Sequence, residues 1–212
     1  VRAHQAAMRA ARPGIHEYEL QAEVERVFRA ADACPAYASI VGAGGHGCVL
    51  HYVANTGKAR DGDLVLIDAG AEYRNYAADI TRTFPVNGRY TREQRALHDL
   101  VGAAQAAALA CARPGVAFAA LHETVVEVLG EGLLRLGLLK GSLEKCIAGE
   151  HYRQFYRHKS GHWLGLDVHD VGDYRIDGQS RLLEPGMVLT IEPGLYVGAD
   201  DTSVAAKWRG IG

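Results

Sequence analysis

A long-range echo constrains this chain more than any other feature. The segment Ala6-Ala7-Met8-Arg9-Ala10-Ala11-Arg12-Pro13-Gly14 returns about half a chain later as Ala106-Ala107-Ala108-Leu109-Ala110-Cys111-Ala112-Arg113-Pro114-Gly115. Ala-rich stretches favour helix, and Pro-Gly ends one because proline lacks an N–H and glycine turns the chain freely. After each Pro-Gly a second amphipathic pattern begins. One runs from Glu17 to Ala31 with Leu20, Val24, Val27 and Phe28 on one face, and the other from about Ala119 to Leu136. Helices followed by strand-like runs in each copy predict an α+β domain of two related halves packed face to face. A site between such halves would draw residues from both.

The strand-like runs are Tyr37–Val41, Cys48–Tyr52, Leu64–Asp68, Tyr76–Val86, Met187–Ile191 and Leu195–Val197. Thr91 and Gln94 have capping-box spacing and open a long helix to about Ala112. A formal net charge of -2, with no run of like charge, offers no electrostatic reason to expect nucleic acid or a membrane surface. No segment approaches the roughly 18 consecutive apolar residues of a membrane span. The four cysteines, Cys34, Cys48, Cys111 and Cys146, lack ligand spacing. They read as free thiols of a reducing, cytoplasmic compartment.

Three clusters carry chemistry. In the first, Leu64-Val65-Leu66-Ile67-Asp68-Ala69-Gly70 precedes Tyr76-Ala77-Ala78-Asp79-Ile80-Thr81. If Arg74-Asn75 is a two-residue turn, Asp68 opposes Thr81 and Asp79 opposes Gly70, so both carboxylates share a face as diagonal neighbours. Like charges that close repel unless something neutralises them, and a metal ion is the natural candidate. The alternative is that Asp68 caps a turn and Asp79 is solvated. The second cluster, His158 to Asp170, sets His158, His162 and His169 among glycines. The third, Leu189-Thr190-Ile191-Glu192-Pro193-Gly194, ends an apolar run on a carboxylate before a turn. Two Asp, a His and a Glu make an oxygen-rich donor set with one imidazole, suited to Mn, Co or Zn.

These motifs, in this order, resemble the pita-bread metallopeptidases, the family of aminopeptidase P, prolidase and methionine aminopeptidase. The resemblance covers essentially the whole chain. It implies a pita-bread fold, two pseudo-symmetric halves of antiparallel strands covered by helices, over residues 1–212. It also implies two divalent metal ions, manganese first, held by Asp68, Asp79, His162 and Glu192. A fifth ligand, a Glu in an Arg-x-Glu strand, is expected past Gly212, and an N-terminal domain is expected before Val1. Further positions carried over are His51, His158 and His169 around the substrate and Tyr196 beside a proline pocket. Lys159 departs from the family's usual small residue or Arg after the first His of that signature.

The activity implied is hydrolysis of the bond between an N-terminal residue and a following proline. By the same resemblance Glu192 shuttles the proton, His169 stabilises the developing oxyanion, and His51 holds the residue after the scissile bond. The partners expected are peptides with Pro second and, for the whole protein, further copies of itself. The wording Gly-His-Trp-Leu-Gly-Leu-Asp-Val-His-Asp resembles the aminopeptidase P branch. Prolidase, restricted to dipeptides, is the alternative, and a non-catalytic binding protein of the same fold is a third reading.

Overall fold

The computed structural model describes residues 1–212. The chain divides into two compact units. The first comprises Val1–Arg95, Leu164–Val168 and Tyr196–Gly212, and the second Ala96–Trp163 and His169–Leu195. Both combine helices with antiparallel pairing, as an α+β chain should.

In the first unit α1 (Arg2–Ala10) and α2 (Glu17–Arg29) flank the first Pro-Gly stop. His16 begins α2 as a capping-box residue, its backbone N–H donating to Glu19 Oε2 at 2.8 Å, which satisfies an otherwise orphaned donor. The short strand β1 (Cys34–Pro35) pairs with β4 (Ala71–Glu72). A three-stranded antiparallel sheet has β3 (Leu64–Asp68) between β2 (Ile40–Ala43) and β5 (Thr81–Pro85). Leu20, Val24 and Phe28, one face of α2, pack with Val41, Val65 and Ile67 in one core. Spacing of 3.6 on the helix and 2 on the strand thus converge on a single apolar layer.

The hairpin register is the one the sequence predicts. Asp68 faces Thr81 and Leu64 faces Pro85, while Tyr73 and Tyr76 exchange both backbone bonds. The turn residues Arg74 (φ 50°) and Asn75 (φ 62°) are both left-handed, the signature of a type I′ turn whose twist suits a hairpin.

In the second unit α3 (Arg92–Cys111, belonging to this unit from Ala96) and α4 (Phe118–Arg135) flank the second Pro-Gly stop. Leu121, Val125, Leu129 and Leu133 form the buried stripe of α4. A short α5 (Leu143–Ala148), capped by Ser142, was not expected from the sequence. Leu121, Trp163 and Leu183 form a smaller apolar cluster with Phe118, Met187 and Leu189 around it. An exposed ribbon pairs β6 (Arg175–Ile176) with β7 (Gln179–Ser180).

Each unit ties its Pro-Gly corner down in the same way. In the first, Gly14 N–H donates to Ala59 O, Ala59 N–H to Ile15 O and Glu17 N–H to Gly57 O. In the second, Gly115 N–H donates to Leu183 O, Leu183 N–H to Val116 O and Phe118 N–H to Arg181 O.

Three strand expectations are corrected. Cys48–Tyr52 is not extended, because Gly44–Cys48 winds into a 3-10 helix and His51 adopts a left-handed φ of 57°. Glycines at 44, 45 and 47 make that tight winding easy. Met187–Ile191 and Leu195–Val197 form only isolated bridges, Trp163 to Leu189 and Val197 to Ile211. Pro185-Gly186 and Pro193-Gly194 interrupt those runs before a ladder can extend. Two other runs are shortened: of Tyr76–Val86 regular strand covers Thr81–Pro85 alone, and of Tyr37–Val41 only Ile40 and Val41 are strand.

Candidate metal centre

The first unit brings Asp68 and Asp79 to one hydroxyl. Asp68 is the last residue of β3, and Asp79 lies just before β5 on the returning arm of the hairpin. Tyr37 O–H is 2.5 Å from Asp68 Oδ1 and 2.8 Å from Asp79 Oδ1. A phenol has one proton, so the two carboxylates share a single donor. Burial raises the Tyr37 hydroxyl well above the usual phenol range, and the charges of Asp68 and Asp79 push it the same way. It remains a donor at any physiological pH.

Asp68 is itself perturbed. Burial raises its carboxyl to about 6; the bond from Tyr37 opposes the rise, the charge of Asp79 adds to it, and Thr81 opposes it. Two carboxylates this close repel each other, and a nearby cation would favour the charged form of both. The backbone enforces this closeness. A Cβ at Gly70 would sit 1.5 Å from Ala78 O, so only glycine lets the hairpin arms approach there. From the other side His4, which is buried, places Nε2 2.8 Å from Ile80 O and braces the residue after Asp79.

The second unit brings His162 and Glu192 together. Thr190 N–H donates to His162 O at 2.9 Å and Glu192 N–H to Ser160 O at 2.9 Å. A Cβ at Gly161 would fall 2.1 Å from Thr190 O, so glycine is again required. Thr190 Oγ1 accepts from His162 N–H at 3.0 Å and donates to Glu192 Oε1 at 3.1 Å, orienting both residues. His162 Nδ1 lies 2.9 Å from Trp163 O, and Nε2 lies 3.3 Å from Glu192 Oε1. With its proton on Nδ1 toward that carbonyl, His162 would turn toward Glu192 the nitrogen through which a histidine can ligate a metal.

The remaining sequence-predicted residues divide between the two units. His169 is exposed and stands edge-on to the His162 ring, with centroids 4.3 Å apart. His158 is half-buried, its Nδ1 2.8 Å from Lys159 O and its ring edge-on to Tyr156. His51 is exposed in the first unit, and Tyr196 is half-buried there. No group of three or more His, Cys, Asp or Glu side chains is drawn together closely enough to hold an ion, and the acids and imidazole stand as two pairs. Tyr37 and Thr190 escaped the sequence reading. Tyr37 is 31 residues from Asp68 and sits in an ordinary strand-like run, so no local pattern marks it. Thr190 lies in the motif itself, and a hydroxyl two residues before the Glu was the available signal.

The chemistry of the donors fits divalent metal. Two carboxylates in the first unit, and a carboxylate with an imidazole in the second, are donors that match hard or borderline ions.

Comparison with known proteins agrees. The model of metallopeptidase family M24 matches residues 1–212. The chain is 51% identical to a Xaa-Pro aminopeptidase of Escherichia coli (strain K12) over 211 residues, covering 99% of this chain and 47% of that protein. It is 47% identical to one from Haemophilus influenzae over 210 residues, covering 99% of this chain and 48% of the relative. Among solved structures, the Pseudomonas aeruginosa aminopeptidase PepP superposes with a TM-score of 0.98 at 55% identity, over 99% of this chain and 48% of that one. A zinc-substituted E. coli aminopeptidase P in complex with product superposes at 0.95 with 50% identity, over 99% of this chain and 47% of that one. The chain thus spans about half the length of the relatives it matches. It belongs to metallopeptidase family M24.

Proposed function

We propose that residues 1–212 are the catalytic domain of a two-metal aminopeptidase that releases the first residue of peptides with proline second. The observation that carries this reading is the Asp68–Asp79 pair on one tyrosine hydroxyl, in a chain 51% identical to a Xaa-Pro aminopeptidase. Asp68, Asp79, His162 and Glu192 would hold two divalent ions, with manganese preferred and cobalt or zinc accepted. Such ions, when bound, lower the pKa of water and polarise a carbonyl. Asp68 would also receive the substrate's free amine. Glu192, steadied by Thr190, would take the proton from the attacking water and return it to the leaving proline nitrogen. His169 would donate toward the developing oxyanion, His51 and His158 would hold the substrate, and Tyr196 would line the proline pocket.

A pseudo-symmetric pita-bread arrangement is part of the same reading. Its support is the matched bonding of the two Pro-Gly corners and a matched place for Asp68 and Glu192. Asp68 is paired with Ile40 of the preceding strand, and Glu192 is bonded to Ser160 of the preceding segment. Each acid thus ends an apolar run laid antiparallel to an earlier one. A cytoplasmic setting is supported by four cysteines of which none forms a disulfide. No helix is long and apolar enough to cross a membrane. Self-association of the whole protein is expected from the same resemblance.

The test is hydrolysis by the intact protein with manganese added after chelation. Release of the first residue from Xaa-Pro tripeptides and longer chains is expected. Asp79→Ala should reduce metal-dependent turnover to background while circular dichroism stays native. Cleavage confined to Xaa-Pro dipeptides would make the protein a prolidase. Wild-type turnover by Asp79→Ala would remove Asp79 from the centre.

A further inference from the structure

We propose that Glu17 is a positioning residue that pins both ends of the loop carrying His51; the inference rests on the substrate-holding role proposed for His51. Glu17 is 1% exposed, at the first turn of α2. Its Oε1 accepts from Ala43 N–H at 2.8 Å and lies 2.8 Å from His46 Nδ1. Its Oε2 accepts from Gly57 N–H at 2.6 Å and from Tyr52 O–H at 2.8 Å. All four partners lie between Ala43 and Gly57, and none is a lysine or arginine. A buried carboxyl group is tolerated only when its lone pairs are filled, and here one loop fills them all.

The rest of α2 continues the grip. Gln21, one helical turn on, accepts from Asn55 Nδ2 at 2.8 Å. Asn55 is buried, takes a left-handed φ of 49°, and also bonds Val41 N–H and Ser39 O. A Cβ at Gly57 would lie 2.7 Å from Glu17 Oε1, so the loop closes onto the carboxyl group without room to spare. The His46 and Tyr52 rings lean together with centroids 4.4 Å apart. Between these anchors stands His51, exposed and held at φ 57°, a conformation a non-glycine residue keeps only when its surroundings impose it.

The fold does not itself require a carboxyl group here. The matched backbone position in the second unit is Phe118, which donates the same corner hydrogen bond. Its side chain instead packs on Trp163, with ring centroids 4.9 Å apart. A corner of this kind is therefore built equally well around an aromatic ring. What the carboxyl group adds in the first unit is directional hold on the loop, and the side chain that loop presents is the His51 imidazole.

The experiment pairs amide hydrogen exchange with steady-state kinetics on a Xaa-Pro tripeptide in the intact, manganese-loaded protein. Glu17→Gln places an amide N–H2 among four donors. It should speed exchange across 43–57 and lower kcat/KM by roughly ten- to a hundredfold, as expected for a misplaced contact residue. In a His51→Ala background the same change should cost almost nothing more. Tyr52→Phe, which removes one donor and spares the charge, should move both readouts in the same direction by less and guards against a misfolded Glu17 variant. Unchanged exchange, or kinetic losses that add independently of His51, would overturn the positioning role. So would a silent Glu17→Gln alongside a damaging His51→Ala. A silent His51→Ala would instead overturn the reading of His51 itself.

Discussion

Tyr37 Oη lies 2.8 Å from Asp79 Oδ1, a contact between residues 42 positions apart, and the same hydroxyl also reaches Asp68. The shared proton partly offsets the repulsion between two carboxylates and keeps their oxygens oriented. Tyr37→Phe should therefore weaken metal affinity or turnover by about 10–100-fold, the range typical of groups that orient metal ligands. Isothermal titration with manganese, beside kcat/KM, checks it. Wild-type values for both would mean that the hydroxyl is ornamental.

The raised carboxyl of Asp68 makes a pH prediction with a definite sign. Its folded value of about 6 lies above the ordinary 3.8, so the metal-free folded state binds this proton more tightly than the unfolded chain. Its contribution to stability is fully present below about 3.8 and is lost as pH rises through about 6. Metal-free protein should lose stability from this group over that window, and Asp68→Asn should flatten the trend. Metal uptake should run the other way, weakening as pH falls below about 6, because the ligand must be deprotonated. Thermal midpoints measured against pH, with chelator and with manganese, read both slopes. A metal-free midpoint that climbs between pH 4 and 6 more steeply in wild type than in Asp68→Asn would contradict the assignment (roughly the window set by linkage).

Gly70→Ala should be costly for a reason of space alone. Its Cβ would meet Ala78 O at 1.5 Å, so the hairpin arms must part and carry Asp68 away from Asp79. A loss of more than about 2 kcal/mol in stability is expected, in the range of substitutions that force backbone apart. Denaturant unfolding with and without manganese measures it. Gly88→Ala, where nothing lies within reach of the added carbon, is the control for a crowded position, although its φ of 77° still carries a left-handed cost.

Thr190→Val keeps the shape of the side chain and removes the hydroxyl that joins His162 N–H to Glu192 Oε1. Turnover should fall by about tenfold with little change in fold, since one orienting hydrogen bond to an ionisable group is lost. Thr190→Ser should restore most of the activity. Equal damage from Ser and Val would show that the methyl group matters and the hydroxyl does not.

Much of the architecture was legible in order along the chain. The Pro-Gly stops, the 3.6-residue stripes of α2 and α4, the apolar run of β3 and the Arg74-Asn75 turn are local signals. Each follows from proline's missing donor, side-chain periodicity or left-handed tolerance, and each appears where expected. The diagonal relation of Asp68 and Asp79 was legible too, because a two-residue turn sets the register of everything after it. The failed strands are those where glycine or Pro-Gly lets the backbone leave the extended form. Cys48–Tyr52 is rich in apolar residues, yet its last residue, Tyr52, is bonded to Glu17 on another element. Tyr37 and Glu17 received their roles from tertiary structure alone, whereas Thr190 stood two residues from Glu192 in the motif itself. A hydrogen bond across tens of residues depends on where the backbone returns, and no spacing in the sequence encodes that. Residue type and local period decided which elements form and which carboxylates could bind a cation. Only the folded chain decided which hydroxyls and buried acids hold those groups in place.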